Sequence, residues 1–256
     1  MKFATWNVNS LNVRLAHVLN WLNDNKPDVV CLQETKQEDS KFPYDAFETV
    51  GYVAVHTGQR TYNGVAILSR LPVSNVQLNI PHFDDMQQRI IAADIDGYRV
   101  ICAYVPNGQA VDSDKYHYKL RWLDALTDWL KLELALNPKL ILLGDYNIAP
   151  EDRDCHDPLA WLGQILVSPA ERAAFKKLIA LGLHDSFRLF EQPEKSFSWW
   201  DYRMMGFRRN HGMRIDHILV SDELKSQCLT AYIDKTPRQL ERPSDHTPVV
   251  LEIARD

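Results

Sequence analysis

Apolar residues in this chain come in short runs, at Lys2–Trp6, Val29–Gln33, Val65–Leu68, Ile90–Ile95, Val100–Val105, Leu140–Leu143, Ile215–Val220 and Val249–Ile253. Runs of this length, most of them bounded by Asn, Asp, Gly or Pro, predict β-strands. Between them, Leu15, Val18, Leu19 and Leu22, and again Leu123, Leu126, Leu130 and Leu134, recur every three or four residues. Each set lines one face of a helix. A third helix is marked by its start. Ser168-Pro169-Ala170-Glu171 combines a capping box with proline at the first helical position, and the helix is expected to end near Gly182.

Many strands and few helices, spread evenly, predict an α/β fold: two packed mixed β-sheets flanked by helices, in one domain covering residues 1–256. TWNVNS near the start and GDYNIA near residue 144 are loosely alike, each an apolar strand ending in an Asn-bearing loop. That likeness suggests that one sheet duplicates the other.

Composition acts mainly by exclusion. No apolar run approaches the roughly 18–20 residues that cross a bilayer, and MKFATWNVNS reads as a strand rather than a signal peptide. Cys31, Cys102, Cys155 and Cys228 stand apart without a CxxC pair, so free thiols in the cytosol are expected. A formal charge of −5 argues against a protein that coats nucleic acid through bulk charge. A local basic face is still open to it. Residues 202–215 carry Arg203, Arg208, Arg209, His211 and Arg214 without an acid, beside Trp199, Trp200, Tyr202 and Phe207. This combination suits phosphate contact with ring stacking, although Trp200 is expected in the core.

The informative polar residues sit at strand ends, where a rigid backbone holds side chains that loops leave open. TWNVN supplies Asn7 and Asn9; VVCLQETK supplies Glu34 and Lys36; ILLGDYNIAP supplies Asp145 and Asn147; MRIDHILV supplies Asp216; PSDHTPVV supplies Asp245 and His246. Four carboxylates beside apolar runs are costly to bury separately. Gathered round a hard divalent ion, they become tolerable. Mg²⁺ takes one or two carboxylates and keeps waters, so not every acid is a ligand. One division makes Glu34 the metal carboxylate, gives a second acid to His246, and leaves Asp145 to the nucleophilic water. A metal, a carboxylate, a histidine and uncharged amides match hydrolysis of a phosphate ester.

Taken in order, NVNSL, PDVVCLQETK, YNGVAILSR, QQRIIAADI, GDYNIAP, FSWWDYR, RIDHIL and ERPSDHTPV resemble the exonuclease III family of DNA-repair nucleases, from residue 1 to about residue 253. The resemblance implies a four-layer α/β sandwich acting as a single chain with Mg²⁺, or Mn²⁺ in its place. Its substrate would be double-stranded DNA, at abasic sites or 3′ ends. It implies Glu34 as principal metal ligand, with Asn7 and Asp245 close by. Asp145 matches the water-activating residue, Asn147 the orienting amide, and His246 the phosphate-contacting histidine with Asp216 as its partner. Tyr104 and Asn107, in AYVPNG, match residues beside the scissile phosphate, and Arg89 and Lys36 fall within matched motifs on the substrate side. Trp199 and Ile215 match a pocket for an abasic sugar.

Three positions depart from the family. Met213 stands where several relatives carry tryptophan, Asn9 where some have aspartate, and Leu166 where abasic endonucleases tend to have glycine or serine. A leucine there would crowd an extruded abasic nucleotide more than a frayed 3′ end, so 3′-end trimming is expected to exceed abasic incision. Two other classes compete with this expectation: a phosphatase of the same superfamily acting on inositol or sphingolipid substrates, and a catalytically silent module that only binds damaged DNA.

Overall fold

The structure, a computed structural model, describes residues 1–255. Its strands are β1 (Lys2–Asn7), β2 (Val29–Gln33), β3 (Val53–Thr57), β4 (Val65–Ser69), β5 (Ser74–Leu78), β6 (Ile90–Ile95) and β7 (Tyr98–Tyr104). There follow β8 (Leu140–Asp145), β9 (Leu183–Asp185), β10 (Trp199–Trp200), β11 (Gly212–Met213), β12 (Asp216–Ser221), β13 (Cys228–Ile233) and β14 (Val249–Ile253). The main helices are α1 (Leu11–Asn25), α2 (Tyr44–Thr49), α3 (Asp114–Leu136) and α4 (Pro169–Ile179).

Two six-stranded sheets form, in the orders β13-β14-β1-β2-β4-β3 and β5-β6-β7-β8-β12-β9. Between them lies an apolar layer that includes Phe3, Val29, Ile67, Val100, Leu143 and Ile218. On the outer face of the first sheet, Val18, Trp21 and Leu22 of α1 and Phe47 of α2 cover Ala4, Val30, Leu32 and Leu68. Trp122, Leu126 and Leu130 of α3, with Phe175 and Leu178 of α4, cover Ala92, Ile101 and Leu142 of the second. The result is the expected four-layer sandwich. Ser168 caps α4 through a reciprocal capping box with Glu171, and the helix stops at Ile179, short of Gly182.

The two sheets share one topology, but the correspondence differs from the one that the sequence likeness implies. Position by position, each sheet has one central parallel pair, β1–β2 or β7–β8, with antiparallel neighbours on either side. Each parallel pair is joined by a helix, α1 or α3. TWNVNS, ending β1, therefore corresponds to AYVPNG, ending β7. GDYNIA, ending β8, corresponds to LQETK, ending β2. The sequence had matched the Asn-bearing loops of non-equivalent strands.

The runs at Val29–Gln33, Ile90–Ile95 and Val249–Ile253 are strands with those bounds, and the other expected strands shift at their ends. The sequence reading missed β3, β5, β9 and β13, the outermost strands of the two sheets, and the two-residue strands β10 and β11. Exposure explains the omission: SNVQL in β5 is almost wholly open to solvent and CLTAYI in β13 half so, and neither forms a continuous apolar run.

Candidate functional site

The parallel pairs bring the same ends of both sheets together. Asn7 closes β1, Tyr104 closes β7, and Asp145 closes β8, while Asp216 opens the antiparallel β12. Cross-strand register sets Asp145 opposite both Tyr104 and Asp216. Glu34 follows β2 directly in the left-handed region, at φ 52°, and Asn147 turns the chain after β8 at φ 49°. His246 precedes β14 and is bridged to Trp199. Strand register thus gathers residues from separate parts of the chain.

Asp145, Asp216 and His246 are buried, and their ligand-type atoms lie within 4.8 Å of one another. Nδ1 of His246 contacts Asp216 Oδ2 at 2.9 Å, and its Nε2 lies 3.7 Å from Asp145 Oδ2. The Ser198 hydroxyl donates to Asp216 Oδ2 at 2.7 Å and fixes that carboxylate. Burial opposes a charge on His246, but Asp216 and then Asp145 outweigh it and raise its pKa to about 10. Asp145 rises to about 7, chiefly through burial, although the charge of His246 works the other way. The cluster therefore retains protons that its separate groups would release.

Asn7 links this cluster to Glu34. Its Nδ2 donates at 2.9 Å both to Glu34 Oε1 and to Asp145 Oδ2. Lys36 pairs with Glu34 Oε2 at 3.1 Å and donates to Asn9 Oδ1, and Asn9 in turn donates to Asp245 Oδ1 at 3.0 Å. The other Asp245 oxygen accepts from Trp199 Nε1 at 3.0 Å. Asn147 donates its backbone N–H to Asp145 Oδ1 at 2.9 Å, and its side-chain oxygen accepts from Asn107. Burial, then the Glu34 charge, pushes the Tyr104 phenol well above its ordinary pKa. The Arg89 guanidinium lies over the Tyr104 ring at 4.7 Å and donates to the Tyr104 carbonyl.

A cavity of about 540 Å³ opens beside the cluster, with Glu34, Arg89, Tyr104 and Asn107 on its wall. Lys115 and Tyr118 of α3 also line it. The sequence reading missed these two, and also Ser198 and Ser244. The available signal was the polar, aromatic start of α3, DKYHYK, a short loop after VPNG. Ser244 joins two site strands, its Oγ donating to the Asn7 carbonyl and accepting from the His246 N–H.

Residues 4–246 match the Endonuclease/Exonuclease/phosphatase family. Exodeoxyribonuclease III of Haemophilus influenzae is 37% identical over 98% of this chain and 99% of its own length. The chain belongs to this family, in its exonuclease III branch. Among solved structures, NExo from Neisseria, a 3′ phosphatase bound to a product DNA hairpin, superposes with a TM-score of 0.98 at 48% identity over all of both chains. An AP endonuclease from Archaeoglobus fulgidus superposes at 0.97 and 39% identity, again over all of both chains.

Two regions of this exonuclease III-branch fold look different in three dimensions than in sequence. Leu166, Met213 and Ile215 are 3%, 0% and 1% exposed and pack into one apolar cluster with Ala149 and Cys155, with Trp199 at its edge. Trp199 and Ile215, expected to line a sugar pocket, thus share one apolar cluster with Leu166 and Met213, and Trp199 also lines a cavity of about 440 Å³ with Trp161 and His156. Leu166 sits in the cluster at φ 73°, a conformation that disfavours a branched side chain.

The expected basic face is smaller than the sequence implied. Arg214 is buried, pairing with Asp154 at 2.7 Å and with Asp185 at 2.7 Å, so it supports the core and is no partner of Asp216. Trp200 is fully buried, as expected. Arg203 is exposed but chelated by Asp201, which leaves Arg208 and Arg209 as exposed arginines of the segment outside that pair.

Proposed function

We propose that the protein is a DNA-repair phosphodiesterase that works with Mg²⁺ and acts mainly at 3′ ends of duplex DNA. The observation that carries this reading is the Asp145–His246–Asp216 cluster, joined through Asn7 to a carboxylate that faces a cavity.

The donor chemistry fits a divalent cation. Glu34, Asp145, Asp216 and Asp245 face only Lys36 and His246 as cations within these contacts. His246, whose Nδ1 is bonded to Asp216, is assigned to the phosphate rather than to the ion. Glu34 and Asn7 would hold the ion, with Asp245 nearby and waters completing its shell. Once bound, the ion would offset charge on the phosphoryl oxygens.

The side chains divide the remaining work. Asp145, aligned by the N–H groups of Asn7 and Asn147, takes a proton from water as the water oxygen bonds to phosphorus and the bond to the leaving sugar oxygen breaks. His246, held by Asp216, presents its Nε2–H to a phosphoryl oxygen. Tyr104 keeps its proton and donates from the cavity wall, where Asn107 and Arg89, with Lys36 paired to Glu34 nearby, receive the DNA backbone on the substrate side.

A leucine at position 166, packed beside Met213, Ile215 and Trp199, favours a 3′ terminus over a bulkier extruded abasic nucleotide, and the Neisseria relative is a 3′ phosphatase. We further infer one catalytic domain acting as a single chain in the cytosol. The four free cysteines are in keeping with that, and no helix of the described residues is long and apolar enough to cross a membrane.

Four labelled duplexes test the assignment: an internal abasic site, a 3′-phosphate, a 3′-phosphoglycolate and a recessed 3′-hydroxyl, each with Mg²⁺ and with chelator. The 3′ substrates should be cleaved faster, and Leu166→Gly should raise abasic incision relative to them. Equal wild-type rates with a ratio that Leu166→Gly leaves unchanged would remove the 3′ preference. Cleavage that survives chelation would remove the metal.

A further inference from the structure

Lys119 of α3 is fully buried, an unusual place for a side chain that ordinarily keeps its ammonium in water. Its Nζ donates to the Asn147 carbonyl at 2.6 Å, to the Asn107 carbonyl at 3.3 Å, and to the carboxylate of Glu171. All three of its protons are thereby used. Glu171 extends the contact on the other side. Its Oε1 accepts the Leu166 N–H at 3.0 Å, and its Oε2 accepts the Ser168 N–H at 3.1 Å and the Ser168 hydroxyl at 2.6 Å.

One buried ion pair therefore fastens three loops, those carrying Asn107, Asn147 and Leu166. These loops contain sharp left-handed turns at Gly108, Asn147 and Leu166, with φ of 92°, 49° and 73°. A Cβ added at Gly108 would stand 3.3 Å from Lys119 Cδ, so the lysine stem fills the space beneath that loop. With both carbonyls tied to one ammonium, the Asn107 amide reaches Asn147 Oδ1 at 3.1 Å.

Desolvating two charges offsets most of their attraction, and apolar residues of similar volume often serve stability as well. What an apolar pair cannot supply is direction, because holding two backbone carbonyls in a set relation takes a group with several N–H donors, as the ammonium has. We propose that Lys119 is a positioning residue for the reaction: it sets the Asn107 and Asn147 amides on the substrate side and, through Glu171, the backbone of Leu166. The proposal rests on the phosphodiesterase reading given above.

Steady-state kinetics on a 3′-phosphate duplex with Mg²⁺ test it in the full chain, using Lys119→Met, Lys119→Arg, Asn147→Ala and the double variant Lys119→Met/Asn147→Ala. A displacement of about an ångström at a reacting group is worth up to about 100-fold. Lys119→Met should lower kcat by about tenfold or more with little change in KM, and Lys119→Arg should recover part of the loss. The double variant should be slower than Asn147→Ala alone by clearly less than the Lys119→Met factor, because the two changes act in part on one group. A folded Lys119→Met enzyme with wild-type kcat, or losses that multiply in the double variant, would overturn the role. Should Lys119→Met not fold, Lys119→Gln decides: its polar tip falls short of the carbonyls, so kcat should drop, and wild-type kcat would refute the idea. A wild-type enzyme that cleaves none of the DNA substrates would instead refute the proposed function.

Discussion

Two buried polar clusters lie close together in this protein and differ in their charge balance. Around Arg214, two carboxylates, Asp154 and Asp185, meet two guanidinium groups, those of Arg214 and Arg188. Burial alone would raise the Asp154 pKa, but the arginines hold it below the ordinary carboxylate value. Around Asp145 the balance is reversed. Acids outnumber cations, Asp145 is pushed up to about 7, and His246 up to about 10. The first cluster is complete and serves as scaffold. The second lacks positive charge, which a metal ion would supply, and a perturbed carboxylate beside a cavity is the mark of a reactive site.

Removing one charged group from each cluster should have opposite effects. Asp145→Asn is expected to cut cleavage of a 3′-phosphate duplex by about a thousandfold or more, the upper range for a lost general base. DNA binding should persist, and the melting temperature at pH 8 should equal or exceed wild type, since a poorly tolerated charge has gone. Full activity in this variant would refute its role with water. Arg214→Met strands Asp185 and half-strands Asp154, so a urea melt should show a loss of about 3–5 kcal/mol, while kcat per folded molecule stays near wild type. A stability loss below about 1 kcal/mol would mean that the cluster is not the closed ion network described here.

Acid provides a smaller, graded test. His217 is buried beside Arg214 and bonded to the Ile148 carbonyl, and burial followed by the Arg214 charge lowers its pKa to about 4. A histidine held neutral in the fold contributes its stability in full above its unfolded pKa near 6.5, and loses it as pH falls towards about 4. Lowering the pH from 8 to 5 should therefore cost roughly 2 kcal/mol from this residue. Replacing His217 with Asn should flatten that part of the profile, and an unchanged slope would show that other groups set it.

The smallest effect addresses the missing charge directly. Mg²⁺ at about ten times its dissociation constant should stabilise the wild-type fold by about 1.4 kcal/mol. Glu34→Gln should abolish most of that increment, and a Mg²⁺ effect that survives the substitution would move the ion elsewhere.

Most of the central fold was legible in the chain because buried strands and amphipathic helices leave continuous or periodic apolar signals. Val29–Gln33, the two leucine stripes and the Ser168 capping box are cases in point. The edge strands were not legible, since β5 is largely exposed and β13 only partly buried, so that neither carries a continuous apolar run. The chemistry of the site was legible as residue types at strand ends, Glu34, Asp145, Asp216 and His246 among them.

The sequence by itself determined which groups could react, because residue type and strand periodicity are local properties. Only the tertiary structure decided their balance. It turned Arg214 inward to Asp154 and Asp185, closed Leu166 onto Met213 and Ile215, matched β1 with β7 rather than β8, and buried Lys119 beneath three loops. Each outcome depends on residues distant in the chain competing for the same space and the same counter-charge, and no local pattern of residues encodes that competition.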